Sequence, residues 1–375
     1  MKSMMTALGL MSGTSMDGID AALIETDGEG QVVMGPSLSL AYSHDERDLL
    51  RRALADALPM ERRTERPGGL AAAERLVGRR HADLVGDFLR THALAPDDID
   101  IVGFHGQTVL HRPLLRLTVQ IGDGQALADE IGIPVVHDMR AADVAAGGQG
   151  APLVPAYHHA LVQAAGLGGP VAVLNLGGVG NVTYLDGAQD PIAFDTGPAN
   201  ALIDDLMLER TGAAMDKDAG YALAGHADEA VLAHLMAHPY FDEKPPKSLD
   251  RNAFSREAVA SLSTEDAAAT LAAFTARSAA ASRRWLPRPP ALWVVCGGGA
   301  RNPAILDFLR RETGAGVRTA DDVGWSAAMM EAQAFAYLAV RSLKGLPLTF
   351  PSSTGVPRRL TGGVLARPLR NRLSA

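Results

Sequence analysis

A loop of small and hydroxyl-bearing residues near the N-terminus offers the first chemistry in this sequence. The loop spans residues 12–18 and joins two apolar runs, 7–11 and 19–24. Its two glycines let the backbone turn sharply and approach a ligand closely, and its hydroxyl and N–H donors suit phosphate oxygens. Asp17 would then lie where a hydrated metal ion could sit. An ordinary hairpin turn rich in Gly and Ser is the alternative.

Two more glycine loops occur later in the chain. Residues 177–180 and 297–299 each follow an apolar run directly. The first loop has neither the lysine of a P-loop nor the GxGxxG of a dinucleotide-binding turn. Together they favour a phosphate-binding protein of another type, and three unrelated tight turns are the alternative.

One acidic residue stands out as a candidate general base. Asp195 ends a short apolar run and precedes the pair Gly197-Pro198 and a predicted helix. A helix N-terminus stabilises negative charge, and an ionised carboxylate can accept a proton from a hydroxyl group or from water. A helix-capping aspartate explains the position equally well.

A compact polar set suits a sugar. His105, Gln107 and Thr108 follow a predicted strand at 99–104, and the carboxyl ends of strands are where open α/β sheets place ligands. They offer donors and acceptors for hydroxyl or N-acetyl groups. A polar turn at a strand end is the alternative.

Glu331 is a second candidate for contact with a sugar. It lies in a helix predicted over 326–343, on the face that carries Phe335 and Leu338. We therefore expect its carboxylate to point toward apolar surroundings, where a buried acid needs partners. Those partners could be ligand hydroxyls or groups of a neighbouring domain.

Composition excludes several classes of protein. At 375 residues and 47% hydrophobic content the chain is expected to form two globular domains. A net charge of −8 argues against nucleic-acid and acidic-membrane partners. The single cysteine, Cys296, rules out an internal disulfide and a multi-cysteine metal site, which fits the reducing cytoplasm. We find no signal peptide and no run of 18 apolar residues, so neither export nor a membrane span is expected.

The order of predicted elements indicates an α/β fold with an internal duplication. Helical periodicity and capping residues predict helices at 45–58, 70–92, 200–211, 227–237, 265–285 and 326–343. Near the middle of the chain, the order strand, glycine loop, strand begins again. Two similar halves that face one another would form a cleft, and the Gly/Ala-rich segment 145–151 would be a hinge or a site loop.

Five motifs carry a resemblance to a known family. They read GLMSGTSMDGID (9–20), GFHGQT (103–108), NLGGVGN (175–181), FDTGP (194–198) and CGGGARN (296–302). Together they resemble the anhydro-N-acetylmuramic acid kinase family of the actin-like ATPase and sugar kinase superfamily. The resemblance runs from about residue 6 to the 351–363 region. The first and fourth motifs are specific to the family, whereas other sugar kinases share the glycine loops.

The resemblance implies a fold. It is a two-domain actin-like ATPase fold, a duplicated ribonuclease H-like α/β fold with an interdomain cleft. We expect an N-terminal domain of residues 1–140, completed by 345–375, and a C-terminal domain of residues 141–344.

The resemblance also implies an activity. The family is bacterial and cytoplasmic and acts in cell-wall recycling. With ATP and Mg²⁺ it opens the 1,6-anhydro ring of anhydro-N-acetylmuramic acid with water and phosphorylates O6. A homodimer is implied, with no nucleic-acid or membrane partner.

The motifs assign roles to individual residues. The catalytic aspartate falls on Asp195, and Asp17 would hold Mg²⁺ through water. The sugar is assigned to His105, Gln107, Thr108, Asp123 and Glu331. The nucleotide is assigned to Gly13, Thr14, Ser15, Met16, Asp17, Gly18, Ile19, Asp20, Asn175, Gly177, Gly178, Gly180, Asn181, Gly297, Gly298, Gly299 and Asn302. The sequence departs from the family pattern at Ala199, where a glycine would be unsurprising, and at 62–69, which resembles a local insertion.

Two other functions are compatible with the same residues. Another sugar kinase of the superfamily would use Asp195 to deprotonate a sugar hydroxyl directly, without water. A non-enzymatic, nucleotide-driven clamp like the Hsp70 ATPase module would need a peptide-binding domain, and we expect none because the sequence ends at Ala375.

Overall fold

The computed structural model describes residues 2–13 and 15–369, so Thr14 lies outside the described residues. The described chain divides into two compact units, one within Met1–Ala164 and Met329–Ala375 and the other within Ala165–Ala328. The strands, in chain order, are β1 (Met5–Ser12), β2 (Gly18–Thr26), β3 (Val32–Ala41), β4 (Ile101–Phe104), β5 (Gln107–Arg112), β6 (Leu117–Ile121), β7 (Val135–His137), β8 (Val171–Leu176), β9 (Val179–Leu185), β10 (Ile192–Pro198), β11 (Leu292–Cys296), β12 (Gly316–Thr319) and β13 (Val364–Ala366).

The helices lie between groups of these strands. They are α1 (His44–Ala57), α2 (Leu70–Thr91), α3 (Gly124–Ile131), α4 (Ala141–Ala145), α5 (Pro155–Ala164), α6 (Asn200–Thr211), α7 (Gly220–Ala224), α8 (Glu229–Met236), α9 (Thr264–Ala281), α10 (Pro303–Thr313), α11 (Met330–Leu343) and α12 (Pro351–Thr354). None of the helices in the described residues is long and apolar enough to cross a membrane.

The two units are built on sheets of the same topology. In the first unit the strand order is β13-β7-β4-β1-β2-β3, and in the second it is β10-β9-β8-β11-β12. In both, three antiparallel strands are followed by two strands parallel to the first. This repeated order confirms the predicted duplication, the α/β class and the ribonuclease H-like topology of the two-domain ATPase fold.

Two glycines set how closely α11 packs on the first sheet. Gly9 on β1 and Gly103 on β4 are register partners. A Cβ atom on Gly9 would lie 1.8 Å from the carbonyl oxygen of Ala332, and one on Gly103 would lie 2.0 Å from that of Phe335. The neighbouring Leu8 and Leu10 point to the other face and pack in the core with α2. Because successive residues of a strand point to opposite faces, the leucines pack in the core on one face, and the glycines let α11 approach closely on the other.

Helix ends agree with the sequence where a cap is present. Asn302 caps α10 by accepting a hydrogen bond from the N–H of Ile305, and Pro303 is the first helical residue. The predicted helix at 326–343 begins four residues late, at Met330, because its first helical hydrogen bond runs from Gln333 to Met329. The predicted helix at 265–285 ends early, and a 3₁₀ turn, Ser282–Trp285, follows it.

The Gly/Ala-rich segment 145–151 is anchored in the first unit. The N–H of Gly150 donates to Asp143 Oδ1 at 2.6 Å, and the N–H of Gln149 donates to the carbonyl of Thr354 at 2.7 Å. The chain passes between the units at residues 164–165 and 328–329 instead, so the interpretation of this segment as a hinge is wrong.

The observed units differ in extent from the expected domains. Helices α5 and α11, which the expected bounds place in the C-terminal domain, belong to the first unit. The hydroxyl of Tyr157 on α5 donates to Gln333 Oε1 on α11 at 3.1 Å, and both residues are buried. Sequence periodicity identifies such helices but does not indicate which sheet they cover.

Candidate active site

The predicted site residues fall into two groups, one in each unit. In the second unit, the strand register brings several of them into a row. Asp195 on β10 lies opposite Asn181 on β9, which lies opposite Asn175 on β8. Asn175 in turn lies opposite Cys296 on β11. Directly opposed residues share one face of a sheet, so this row presents one carboxylate and two amides on the same face.

Asp195 has the environment of a base that works near neutral pH. Its side chain is partly exposed, and Oδ2 accepts a hydrogen bond from the N–H of Leu249 at 2.8 Å. Burial raises the pKa of Asp195 to about 6, against the lowering effects of that N–H and of the Lys247 charge. Above that pH the carboxylate is mostly ionised and can accept a proton.

The helix-cap interpretation of Asp195 is wrong. Asp195 lies within β10, four residues before Ala199, which is the N-cap of α6. No side chain makes a capping hydrogen bond at that helix end. The hydrogen bond to Leu249 is the structural role that remains for this carboxylate.

The second glycine turn lies beside this row and is held by an amide side chain. Gly177 and Gly178 join β8 to β9. The side chain of Asn200 donates to the carbonyls of Leu176 at 2.8 Å and of Gly177 at 3.2 Å. This role of Asn200 depends on contacts between residues more than 20 positions apart.

The third glycine loop packs against the second. Gly297 has φ +76°, and a Cβ atom there would lie 2.4 Å from Asn175 Oδ1. A Cβ atom on Gly299 would lie 2.6 Å from the side chain of Leu176. Only glycine fits these two positions, so the loops at 177–178 and 297–299 form one small-residue surface.

A recess of about 320 Å³ adjoins the third loop. Its lining includes Gly297, Gly298, Arg301, Thr319 and Asp321, with four alanines. That volume lies at the lower end of the range for small-molecule pockets, and the mixture of apolar and polar groups is typical of them.

Three other residues assigned to the nucleotide are internal. A Cβ atom on Gly180 would lie 2.7 Å from Thr196 Oγ1, and Gly299 is buried. Asn302 is 8% exposed and caps α10. These residues shape the loops, and contact between them and a nucleotide stays a prediction.

In the first unit, the predicted phosphate loop is a tight turn between β1 and β2. The N–H of Met16 donates to the carbonyl of Gly13 at 3.2 Å, and Met16 has φ +57°. Ser15 and Asp17 are exposed. The turn therefore presents the Asp17 carboxylate to solvent, as a site for a hydrated cation requires.

The end of this motif belongs to β2. A Cβ atom on Gly18 would lie 2.6 Å from the carbonyl oxygen of Leu40, so glycine is needed for strand pairing. Ile19 is 1% exposed and packs in the core, which leaves only its main chain for a ligand. Asp20 accepts a hydrogen bond from Ser39 Oγ at 2.6 Å.

A buried network fixes the phosphate loop from below. Ser12 Oγ donates to Gln107 Oε1 at 2.6 Å, and Gln107 Nε2 donates to the carbonyl of Gly13 at 3.2 Å. The hydroxyl groups of Tyr42 and Ser12 are 3.2 Å apart. Gln107 has no exposed surface, so it positions the loop. No local pattern predicted a role for Tyr42, which is far from the motif along the chain.

His105 is also engaged inside the protein. Arg140 Nε donates to His105 Nε2 at 3.1 Å, and His105 Nδ1 lies 3.3 Å from the carbonyl oxygen of Ser12. Burial, followed by the charge of Arg140, lowers the pKa of His105 to about 3. The ring is therefore neutral, with its proton on Nδ1. We did not predict a role for Arg140, although it follows β7 at the same edge of the sheet.

The remaining residues assigned to the sugar differ in their surroundings. Thr108 accepts a hydrogen bond from Gln120 Nε2 at 3.2 Å. Asp123 caps α3 through the N–H groups of Gln125 and Ala126. Glu331 lies in the first turn of α11, and its side chain reaches solvent. Burial of its carboxyl nevertheless raises the pKa of Glu331, against the lowering effect of the Arg140 charge, so the role of this acid toward a sugar stays a prediction.

Within residues 2–13 and 15–369, no group of three or more His, Cys, Asp and Glu side chains is placed to hold a metal ion. Mg²⁺ commonly keeps several waters and takes one or two carboxylates together with substrate phosphates. The exposed carboxylate of Asp17 fits that mode of binding.

Comparison with known proteins assigns the chain to a family. The family model for anhydro-N-acetylmuramic acid kinase matches residues 5–367. Proteins of that name from Methylobacterium nodulans and Nitrobacter winogradskyi are each 57% identical, with 97% of this chain and 100% of each relative covered. Among solved structures, an activator of 2-hydroxyisocaproyl-CoA dehydratase from Clostridium difficile is 13% identical, with a TM-score of 0.45 over 91% of this chain and 96% of that one. The chain belongs to the anhydro-N-acetylmuramic acid kinase family.

Proposed function

We propose that this protein uses ATP and water to convert 1,6-anhydro-N-acetylmuramic acid into N-acetylmuramic acid 6-phosphate and ADP. Membership of the family supports the substrate and the product. The observation that carries the mechanism is the state of Asp195, which is partly exposed, held by the N–H of Leu249, and has a pKa of about 6. Such a carboxylate is ionised and basic enough to activate water near neutral pH.

The reaction has two coupled bond changes. Asp195 accepts a proton from water as the water oxygen bonds to the anomeric carbon C1, and the bond from C1 to the bridging O6 breaks. O6 then takes the γ-phosphoryl group of ATP, and ADP leaves. The water must attack C1 from the face opposite the departing oxygen, so the orientation of the carboxylate matters as much as its charge.

The glycine turns are the candidate phosphate-binding elements. Gly178 is exposed, and a Cβ atom there would make only ordinary contacts, which leaves its main chain accessible to a ligand. The recess of about 320 Å³ beside Gly297 and Gly298 suits a nucleoside. In the first unit, Ser15 and Asp17 are exposed on the turn that follows β1. Asp17 would hold Mg²⁺ through water, and Mg²⁺ neutralises charge on the transferring phosphoryl group.

The first unit also holds the candidate sugar-binding groups. Arg140 uses Nε and Nη1 for His105 and for the carbonyl of Gly150, and a guanidinium has five N–H donors. We assign its remaining donors to the lactyl carboxylate of the sugar, since arginine favours planar carboxylates. Thr108 and the exposed Glu331 are assigned to hydroxyl or N-acetyl groups. His105 and Gln107 are assigned to positioning of Arg140 and of the loop.

We further propose that the protein is a cytoplasmic homodimer that serves cell-wall recycling. A single cysteine suits a reducing compartment. Light scattering on the purified protein would measure its mass against that of one 39.3 kDa chain.

A product assay tests the function. The purified protein is given MgATP with the anhydro sugar, with N-acetylmuramic acid or with glucose, and ADP is measured. The same reaction in ¹⁸O-labelled water is sampled early, and unlabelled product incubated in that water controls for anomeric exchange. We expect ADP formation only with the anhydro sugar, and label at C1 above the control. ADP formation with an open sugar and no label would favour the alternative sugar kinase, and ADP formation without any sugar would contradict both.

A further inference from the structure

A second segment of the chain holds Asp195 from the outer edge of the sheet. β10 is the edge strand of the second sheet. On its open side, the N–H of Asp195 donates to the carbonyl of Lys247 at 3.1 Å, and the N–H of Leu249 donates to Asp195 Oδ2 at 2.8 Å. The main chain and the carboxylate of this one residue are thus both fixed by residues 247–249.

Tyr240 adds a third bond to the same residue. Its hydroxyl donates to the carbonyl of Asp195 at 2.7 Å, and Tyr240 is 4% exposed. Lys247 Nζ donates to the carbonyl of Tyr240 at 2.8 Å and lies 4.1 Å from the centre of its ring. We name Tyr240 together with residues 247–249 the β10 brace.

The β10 brace is itself anchored in the core. The ring of Tyr240 packs against those of Phe241 and Phe254, with centroids 5.8 and 6.5 Å apart. Phe254 packs on Phe274 of α9 at 5.5 Å. The orientation of Asp195 is therefore set by a packed aromatic cluster and not by the edge strand alone.

We propose that the β10 brace positions Asp195. We propose also that Lys247, whose carbonyl accepts from the Asp195 N–H and whose Nζ is held by the carbonyl of Tyr240, supplies a positive charge that favours the Asp195 carboxylate. This inference rests on the proposed function, in which Asp195 is the base.

The charges around the brace determine the sign of the expected effect. β10 carries no other charged residue, and the facing residue on β9 is the neutral Asn181. Burial raises the pKa of Asp195, the N–H of Leu249 lowers it, and the charge of Lys247 lowers it further. Burial, followed by the charge of Arg284, lowers the pKa of Lys247, while the charges of Glu243, Asp242 and Asp195 raise it. Since only the ionised carboxylate accepts a proton, loss of the Lys247 charge raises the pKa and reduces turnover at low pH, while turnover at high pH is retained.

The pH dependence of kcat tests the role of Lys247. In Lys247→Met we expect the acid limb to move up by about 0.5–1 pH unit, with KM for ATP unchanged and the high-pH plateau within about twofold of the parent. Lys247→Arg keeps the positive charge, so its kcat should fall at the same low pH as that of the parent protein. Lys244→Met is the matched control, because Lys244 is an exposed lysine of the same loop that lies outside the brace.

A second variant tests positioning separately from charge. Tyr240→Phe keeps the ring and removes the hydroxyl group that binds the Asp195 carbonyl. We expect kcat to fall about 3–10-fold at every pH, with KM and the position of the acid limb unchanged. A parent-like kcat in Tyr240→Phe would overturn the positioning role.

The charge role has its own contrary results. The charge role would be overturned if kcat of Lys247→Met fell at the same low pH as kcat of the parent protein. It would also be overturned if kcat of Lys247→Met were reduced equally at every pH and the thermal midpoint were lower. Asp195→Asn separates this inference from the function it rests on. An active Asp195→Asn protein overturns the proposed mechanism, whereas an inactive one combined with an unmoved limb in Lys247→Met overturns only the role of Lys247.

Discussion

The two sheets share one order over five strands, to which β13 adds a sixth in the first unit, but they carry different side chains at equivalent positions. In the second unit, the row across the three antiparallel strands reads Asn175, Asn181, Asp195. The same row in the first unit reads Met11, Asp20, Ser39. The acid thus lies on the third strand in one unit and on the second strand in the other. Topology alone does not indicate which unit has the base, because function depends on the side chains that a fold carries.

The surroundings of the two acids explain why we assign them different roles. Asp20 is bonded by a hydroxyl group, since Ser39 Oγ donates to its Oδ1 at 2.6 Å. Asp195 is bonded by a main-chain N–H, and burial raises its pKa to about 6. The second environment is the one that prepares a carboxylate to accept a proton near neutral pH.

The largest expected effect separates these two acids. Asp195→Asn keeps the oxygen that accepts from Leu249 but cannot take a proton from water, so kcat should fall roughly 10²–10⁴-fold. ATP affinity, measured by calorimetry, should be nearly unchanged. Asp20→Asn is the matched variant, and we expect it to retain kcat within about tenfold. A folded Asp195→Asn protein with near-parent turnover, or an equal loss in both variants, would contradict the assignment.

The units also differ in how closely a helix approaches the sheet. The paired residues under α11 in the first unit are Gly9 and Gly103. The corresponding pair in the second unit is Val173 and Val294, which are buried and register partners. The glycines permit contact between the main chains of the sheet and α11. At the valines, the side chains separate the main chain of the sheet from whatever packs on it.

Gly9→Ala should be the most destabilising of the small substitutions. Its Cβ would lie 1.8 Å from a main-chain oxygen of α11, which cannot move without the helix. We expect the free energy of unfolding to fall by about 3 kcal/mol or more, and the thermal midpoint to fall by several degrees. In Gly177→Ala the nearest atom would be 3.7 Å away, so its midpoint should be close to the parent value. Equal midpoints for the two variants would show that α11 adjusts easily.

Much of this fold follows from the sequence, because periodicity and capping are local. The helix predicted at 200–211 is α6, Asn200–Thr211, and that predicted at 70–92 is α2, Leu70–Thr91. The three glycine loops follow strands, as expected. Sequence reasoning did not find the residues whose roles come from distant contacts, such as Arg140 against His105 or Leu249 against Asp195. No local pattern encodes a bond between residues 54 positions apart.

Both units hold a glycine turn with one side-chain amide, and the two amides differ in burial. Gln107 Nε2 donates to the carbonyl of Gly13, and Asn200 Nδ2 donates to that of Gly177, both at 3.2 Å. Gln107 has no exposed surface, whereas Asn200 is partly exposed. Water can therefore replace the bonds of Asn200 more easily than those of Gln107.

Substitution of each amide by leucine measures that difference. Gln107→Leu leaves the buried hydroxyl of Ser12 and the carbonyl of Gly13 without this partner, which should lower the free energy of unfolding by about 1–2 kcal/mol. Asn200→Leu should cost less than about 1 kcal/mol, since its carbonyl partners lie nearer to water. Urea denaturation of the two variants gives both values. A larger loss in Asn200→Leu would mean that the second turn depends on its amide more than the first.

The smallest expected effect concerns Asp17, an acid in the turn after β1 that has no counterpart in the turn after β8. The turn after β1 carries the exposed Asp17, whereas the turn after β8 consists of Gly177 and Gly178 alone. Because an exposed carboxylate acts on a cation mainly through water, Asp17→Ala should reduce kcat/KM for ATP by less than about tenfold at saturating Mg²⁺. The loss of kcat/KM should grow as the Mg²⁺ concentration is lowered, and affinity for the sugar should not change.

Asp97→Ala is the matched control for Asp17→Ala. It removes another exposed acid of the same unit and gives the same net charge, so it controls for the general electrostatic field. If the two variants depend on Mg²⁺ in the same way, Asp17 does not act on the metal, and the first turn would bind phosphate through its main chain alone, as we propose for the second.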